Sequence, residues 1–155
     1  MNLEVLKKTR RAPVVGDVFV MRPPDGLFLF GRVIDTDADP LGVGGALLLY
    51  IYRVRAAAPV PLPKLCIDDL LLPPIMTNRQ PWTKGYFEHV ANVPITTADR
   101  LVQHCFKDTR GWYFDERGRR LSAPIAPVGE WGLHSYRTID DEISKALGIP
   151  LAPDE

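Results

Sequence analysis

Proline and glycine do most to constrain what this chain can fold into, with 15 prolines and 12 glycines among 155 residues. Proline has no amide hydrogen to give to a helix or a ladder, and glycine inside either costs about 0.5–1 kcal/mol. A chain punctuated this heavily favours short strands joined by turns over long helices. Asp17 to Met21 is a first strand introduced by Gly16, with Val18 and Val20 on one side and Asp17, Phe19 and Met21 on the other. Pro23-Pro24-Asp25-Gly26 is turn chemistry. Leu27 to Ile34 then returns as a second strand, with a bulge or bend at Gly31.

Further on, Asp35 to Gly45 is polar and Gly-rich and reads as a loop, and Ala46 to Val54 as a strand buried on both faces. Ala56 to Pro63 is an extended connector, Leu65 to Leu72 a fourth strand, and Tyr86 to Val93 another. Residues 95 to 106 are ambiguous, with a short helix capped by Thr96 or Thr97 before Cys105 and Phe106 re-enter the core. Trp112 to Phe114 and Arg119 to Ser122 form a second hairpin around Asp115-Glu116-Arg117-Gly118. The best-marked helix comes last. Thr138 stands three residues before Asp141 as a capping box, with Asp140, Asp141 and Glu142 in the first turn. Ile139, Ile143 and Leu147 share one face, Lys145 occupies the last turn, and Gly148 and Pro150 stop the helix. The expected architecture is α+β: a mainly antiparallel sheet, strongly bent or closed as an SH3-like barrel, with a C-terminal helix packed on it.

A chain of 155 residues fits a single globular domain over 1–155, since halves of it would struggle to bury a core. Its 46% hydrophobic and 25% charged residues are those of a folded protein. The formal net charge is zero, so nothing pulls the whole molecule toward nucleic acid or anionic lipid. Met1 to Lys8 lacks the pattern of a signal peptide, and the longest apolar run, Ala46 to Tyr52, is too short to span a bilayer. With Cys66 and Cys105 read as reduced thiols, the expected compartment is the cytoplasm.

Catalytic and metal chemistry find little to stand on. His89, His104 and His134 show no chelating interval, and adjacent His104 and Cys105 point to opposite faces of a strand. A Phe-flanked Cys105 fits a core thiol better than a nucleophile, and no nucleophile elbow or phosphate loop is present. Gly42-Val43-Gly44-Gly45 precedes a strand rather than a helix. No metal and no cofactor are expected.

Binding surfaces are better represented. Lys7, Lys8, Arg10 and Arg11 form a basic arm, read as solvated and mobile or as a phosphate contact. Asp35, Asp37 and Asp39 make an acidic loop with no neighbouring bases, suited either to solubility or to a basic partner. Ile75 to Trp82 and Gly129 to Arg137 mix large apolar, amide and Arg groups without periodicity. Their Trp82, Trp131 and Tyr136 are either core aromatics or interface anchors.

Gly16-Asp17-Val18-Phe19, followed by Pro24-Asp25-Gly26 and Gly31-Arg32-Val33, resembles the immunity protein 26 family of bacterial polymorphic toxin systems. The likeness continues through Leu47 to Tyr52 and Leu65 to Leu72, covering the N-terminal two thirds. The Pro23-Pro24 turn and the long Asp35 to Gly45 loop depart from a compact family pattern. The resemblance implies a non-enzymatic protein that neutralises a cognate protein toxin by direct contact. The expected contacts are Asp35, Asp37, Asp39, Trp82, Trp131 and Tyr136. The alternative reading is an SH3-like nucleic-acid-binding module using Lys7 to Arg11, and a third is a small hydrolase built on Cys105 and a histidine.

Overall fold

The computed structural model describes residues 1–154. The first hairpin seeds the larger sheet: β1 (Asp17–Met21) pairs antiparallel with β2 (Phe28–Ala38) across the Pro24-Asp25-Gly26 turn. Phe19 lies opposite Gly31, and a Cβ at position 31 would come within 2.2 Å of the Phe19 ring. Only glycine leaves room for that ring, and the register with the next strand slips between Leu29 and Gly31, so the expected bulge is there. β3 (Ala46–Ala56), β4 (Ile75–Thr77) and β5 (Glu88–Asn92) complete a sheet of order β4-β3-β2-β1-β5 with every pairing antiparallel.

The smaller sheet holds β6 (Cys105–Lys107), β7 (Tyr113–Phe114), β8 (Arg120–Leu121) and β9 (Val128–Glu130) in the order β8-β7-β6-β9. Its β6–β9 pairing is parallel. Helix α1 (Gln80–Thr83) is a single turn, and α2 (Tyr136–Leu147) is the C-terminal helix.

The two faces of the larger sheet build different cores. On β3 the alternation is plain: Leu47, Leu49 and Ile51 enter one cluster, while Leu48, Tyr50 and Tyr52 enter another. The first cluster gathers Phe19, Met21, Trp82 and Phe87 under Ile139 and Ile143 of α2. Burying those two isoleucines stabilises the helix by about 1.5–3 kcal/mol each. The second joins Ile34 and Met76 to Phe106, with Trp131 packed against it. Beside it Val18, Val20 and Phe30 form a third cluster under Leu62 and Leu65 of the connector.

Several expectations need correction. The larger sheet is open, with β4 and β5 at its two edges, so the barrel alternative is not realised. Trp82, Phe87 and α2 cover the face that closure would have sealed. Leu65 to Leu72 is no strand. Asp69 N–H turns back to the Cys66 carbonyl at 3.0 Å, and only an isolated bridge from Leu70 to Tyr52 reaches β3. Two adjacent carboxylates, Asp68 and Asp69, are both exposed and break the run. The fourth strand is Ile75–Thr77 instead, inside a segment read as irregular.

The α2 cap is Ser135, whose hydroxyl accepts the Thr138 N–H at 3.2 Å. Asp140 is buried and accepts the Asn2 and Leu3 amides (3.0 and 2.7 Å), pinning the N-terminus to the helix. Nor is the basic arm loose. Glu4, Leu6 and Thr9 bond along Arg22, Gly85 and Trp82, and Arg11 closes a 2.8 Å ion pair on buried Asp17.

Candidate partner-binding face

Asp35, Asp37 and Asp39 come together where the end of β2 meets the turn between β7 and β8. Asp35 and Asp37 are still within β2, so the loop proper begins at Asp39. The carboxylates shape the chain around them. Asp35 accepts the Asp37 N–H (2.8 Å), Asp37 the Gly45 N–H (3.1 Å), and Asp39 the Gly44 N–H (2.9 Å). These are local side-chain-to-backbone bonds of the kind Asp favours in turns. Gly44, at φ 69°, supplies the left-handed backbone that the tight closure requires.

A base does neighbour the acids, contrary to expectation. Arg117, in the β7–β8 turn, sends one nitrogen to Asp35 (2.8 Å) and another to Asp37 (3.1 Å), and it also bonds the Asp37 carbonyl. The Asp39 N–H bonds the Glu116 carbonyl at 2.8 Å. Arg117 has one charge to set against three carboxylates, so the corner stays negative. Asp35 is nearly enclosed, whereas the Asp37 side chain is 73% exposed.

Beside this corner lies an apolar groove of about 200 Å³, lined by Pro40, Leu41, Val43, Ala46, Thr77 and Leu133 among others. Leu41 and Val43 are 64% and 84% exposed, and Leu133 adds a third apolar side chain open to solvent. Exposed aliphatic residues are thus clustered at a groove with fixed acids at its margin.

The three aromatic candidates part company. Trp82 is core: its ring meets Phe19 and Phe87 edge-on at 5.1 Å, and 2% of its surface is exposed. Trp131 is half-buried and supports the face from beneath, packing on Phe114 at 4.9 Å and lying 3.6 Å from where a Cβ on Gly118 would sit. Tyr136 begins α2, stacks on Tyr86 at 5.5 Å and has Lys84 5.9 Å from its ring centre.

A buried chain of polar groups holds the face to the sheet below. Tyr50 Oη lies 2.6 Å from His104 Nε2, and His104 Nδ1 lies 3.1 Å from a Glu116 carboxylate oxygen. Burial works against the Glu116 carboxylate, but the His104 bond and backbone bonding outweigh it and hold its pKa below the ordinary value. An ionised Glu116 only accepts, so Nδ1 carries a hydrogen toward it, and the Tyr50 hydroxyl meets Nε2 on the other side of the ring. The order hydroxyl, imidazole, carboxylate is that of a nucleophile relay. Here the Tyr50 oxygen is fully buried and already takes the Leu101 N–H at 3.0 Å, so the chain of bonds joins the two sheets. Cys105 is fully buried as well. Among the described residues no group of three or more His, Cys, Asp or Glu is placed to hold a metal ion, and no helix is long and apolar enough to cross a membrane.

The model of the family described as Immunity protein 26 matches residues 14–111, well over half of the chain. The chain belongs to the immunity protein 26 family. The match bears out the likeness carried by Gly16 to Phe19 and Gly31 to Val33. No curated protein and no solved structure matches. Within the immunity protein 26 match lie the whole larger sheet, the three acids, Leu41 and Val43, Tyr50 and His104. Glu116, Arg117, Trp131 and α2 lie beyond it, so the acidic corner belongs to the matched region while its buttress does not.

Arg117 was legible only as a turn residue, because its partners Asp35 and Asp37 are 82 and 80 positions away. Leu41 and Val43 did carry a signal: large apolar side chains in a loop otherwise made of Gly, Asp and Pro.

Proposed function

We propose that this protein neutralises a bacterial toxin by binding it, and that the toxin docks on the acidic corner and its apolar groove. Membership of the immunity protein 26 family supports a toxin as partner. The observation that carries the choice of face is the pairing of exposed Leu41, Val43 and Leu133 with carboxylates already locked in position. A preorganised patch loses little conformational entropy on binding. An ordinary stable complex buries roughly 800 Å² per partner, so the proposed interface extends beyond the groove itself.

In this reading Asp37 and Asp39 steer a basic toxin surface into register, and the aliphatic groove supplies the desolvated centre. Trp131 keeps the face rigid from below, and Trp82 acts only through the core. Tyr136, stacked on Tyr86 and approached by Lys84, is not among the residues lining the groove. Inhibition is stoichiometric coverage of the toxin's active site or an adjacent surface, without chemistry by this chain.

The test is association kinetics with the cognate toxin recovered by affinity capture. Reversing Asp37 and Asp39 to Arg slows association at least tenfold at low salt and flattens its salt dependence. Unchanged on-rate, affinity and salt slope would remove this face from the interface.

A further inference from the structure

A second surface, on the outer edge of the smaller sheet, is built around Trp112 and two arginines. Trp112 is 39% exposed, and the guanidinium carbons of Arg110 and Arg120 lie 3.7 and 3.9 Å from its ring centre. Two planar cations that close to one centroid cannot share a face of the ring, so the indole is clamped between them. Asp108 fixes one side of the clamp, taking Arg110 at 2.8 Å and accepting the Trp112 N–H at 2.9 Å. Arg120 has no acidic partner among the described residues. Arg119 is exposed in the adjoining turn, and Lys107 is exposed on β6 beside its exposed register partner Glu130.

Backbone geometry adds an independent feature. β8 is an edge of the sheet and carries Arg120. The Asp115 N–H bonds the Arg119 carbonyl at 3.0 Å, so in this antiparallel pair the Arg120 N–H and C=O point away from β7, into open space. An unpaired edge offers ladder bonds to another extended chain.

We propose that the free edge of β8 takes up an extended acidic segment of a protein partner as an added strand, with its carboxylates on Arg120 and the Arg110–Trp112 clamp. Charge complementarity selects an acidic occupant, and a planar guanidinium matches a carboxylate bidentately. Nucleic acid is disfavoured because both faces of Trp112 are already covered, which closes the base-stacking mode that single strands use. The outward amide of Arg120 asks for a backbone partner, which a peptide has. Arg120 follows Arg117 of the acidic corner by three residues on the same hairpin, but strand addition at this edge does not depend on the toxin docking at that corner.

The test uses the full chain with a decapeptide of alternating Thr and Glu, and a decathymidylate for comparison. Heteronuclear NMR and amide exchange follow Arg120, Leu121 and the Trp112 indole. The expected result is peptide binding at low salt that shifts the Trp112 indole and slows exchange of the Arg120 amide at least tenfold. Arg120→Ala weakens peptide binding at least fivefold while the unfolding midpoint stays put. No peptide binding, or binding without protection of the Arg120 amide, overturns strand addition. An oligonucleotide that binds as tightly as the peptide overturns the choice of partner.

Discussion

Removing the Tyr50 hydroxyl takes away two contacts together, the one to His104 Nε2 and the one accepting the Leu101 N–H. Both partners then sit buried or half-buried without a replacement, and Tyr50→Phe is expected to cost about 1–3 kcal/mol in denaturant unfolding. A loss below a few tenths would mean that water replaces the hydroxyl. Ionisation acts through the same neighbourhood. Glu116 and Asp17 both have folded pKa values below their ordinary 4.5 and 3.8. For Asp17, burial raises the value, and bonds from Arg11, Asn92 and the Val14 amide more than offset it. A depressed carboxylate contributes stability that is fully present above its unfolded value and is lost as pH falls through the folded one. Unfolding midpoints are therefore expected to be level near neutrality and to fall as pH drops below about 4.5. Glu116→Gln should shrink that fall, and an unchanged acid slope would show that the His104 bond does not act on Glu116.

Elements were legible where local chemistry alone decides them. The first hairpin, the doubly buried β3, the second hairpin and α2 all lie where turn residues and apolar period place them, because those signals act within a few residues. The failures share a cause in long-range contact. Ile75–Thr77 pairs with Leu47 to Leu49, and nothing within the segment announces that edge. Trp82 looked as much like an anchor as a core ring until Phe19 and Phe87 closed on it. The acidic residues were legible, but their guanidinium partner, some 80 positions on, was not. Gly31 is the position where element geometry is most exacting. Gly31→Ala drives a methyl into the Phe19 ring and is expected to cost 1–3 kcal/mol or more by overpacking. The same change with Phe19→Leu should recover part of that loss, and strict additivity of the two would argue against the contact.

At the scale of the molecule, two sheets meet through Tyr50, His104 and Glu116, and that junction presents a rigid negative corner beside an apolar groove. Arg120 of β8 lies three residues from Arg117 of that corner, so charges of both signs meet on one hairpin. Trp131 belongs to the mechanics of the first face, and Trp131→Ala is expected to loosen the corner and speed toxin dissociation more than it slows association. The most direct measurement is affinity capture from the native bacterium, with wild-type protein and the Asp37→Arg, Asp39→Arg variant in parallel, read by mass spectrometry. The expected result is one toxin chain held at near-equal stoichiometry by the wild type and lost from the variant. Equal retention by both, or recovery of nucleic acid with ribosomal proteins in place of a toxin, would contradict it.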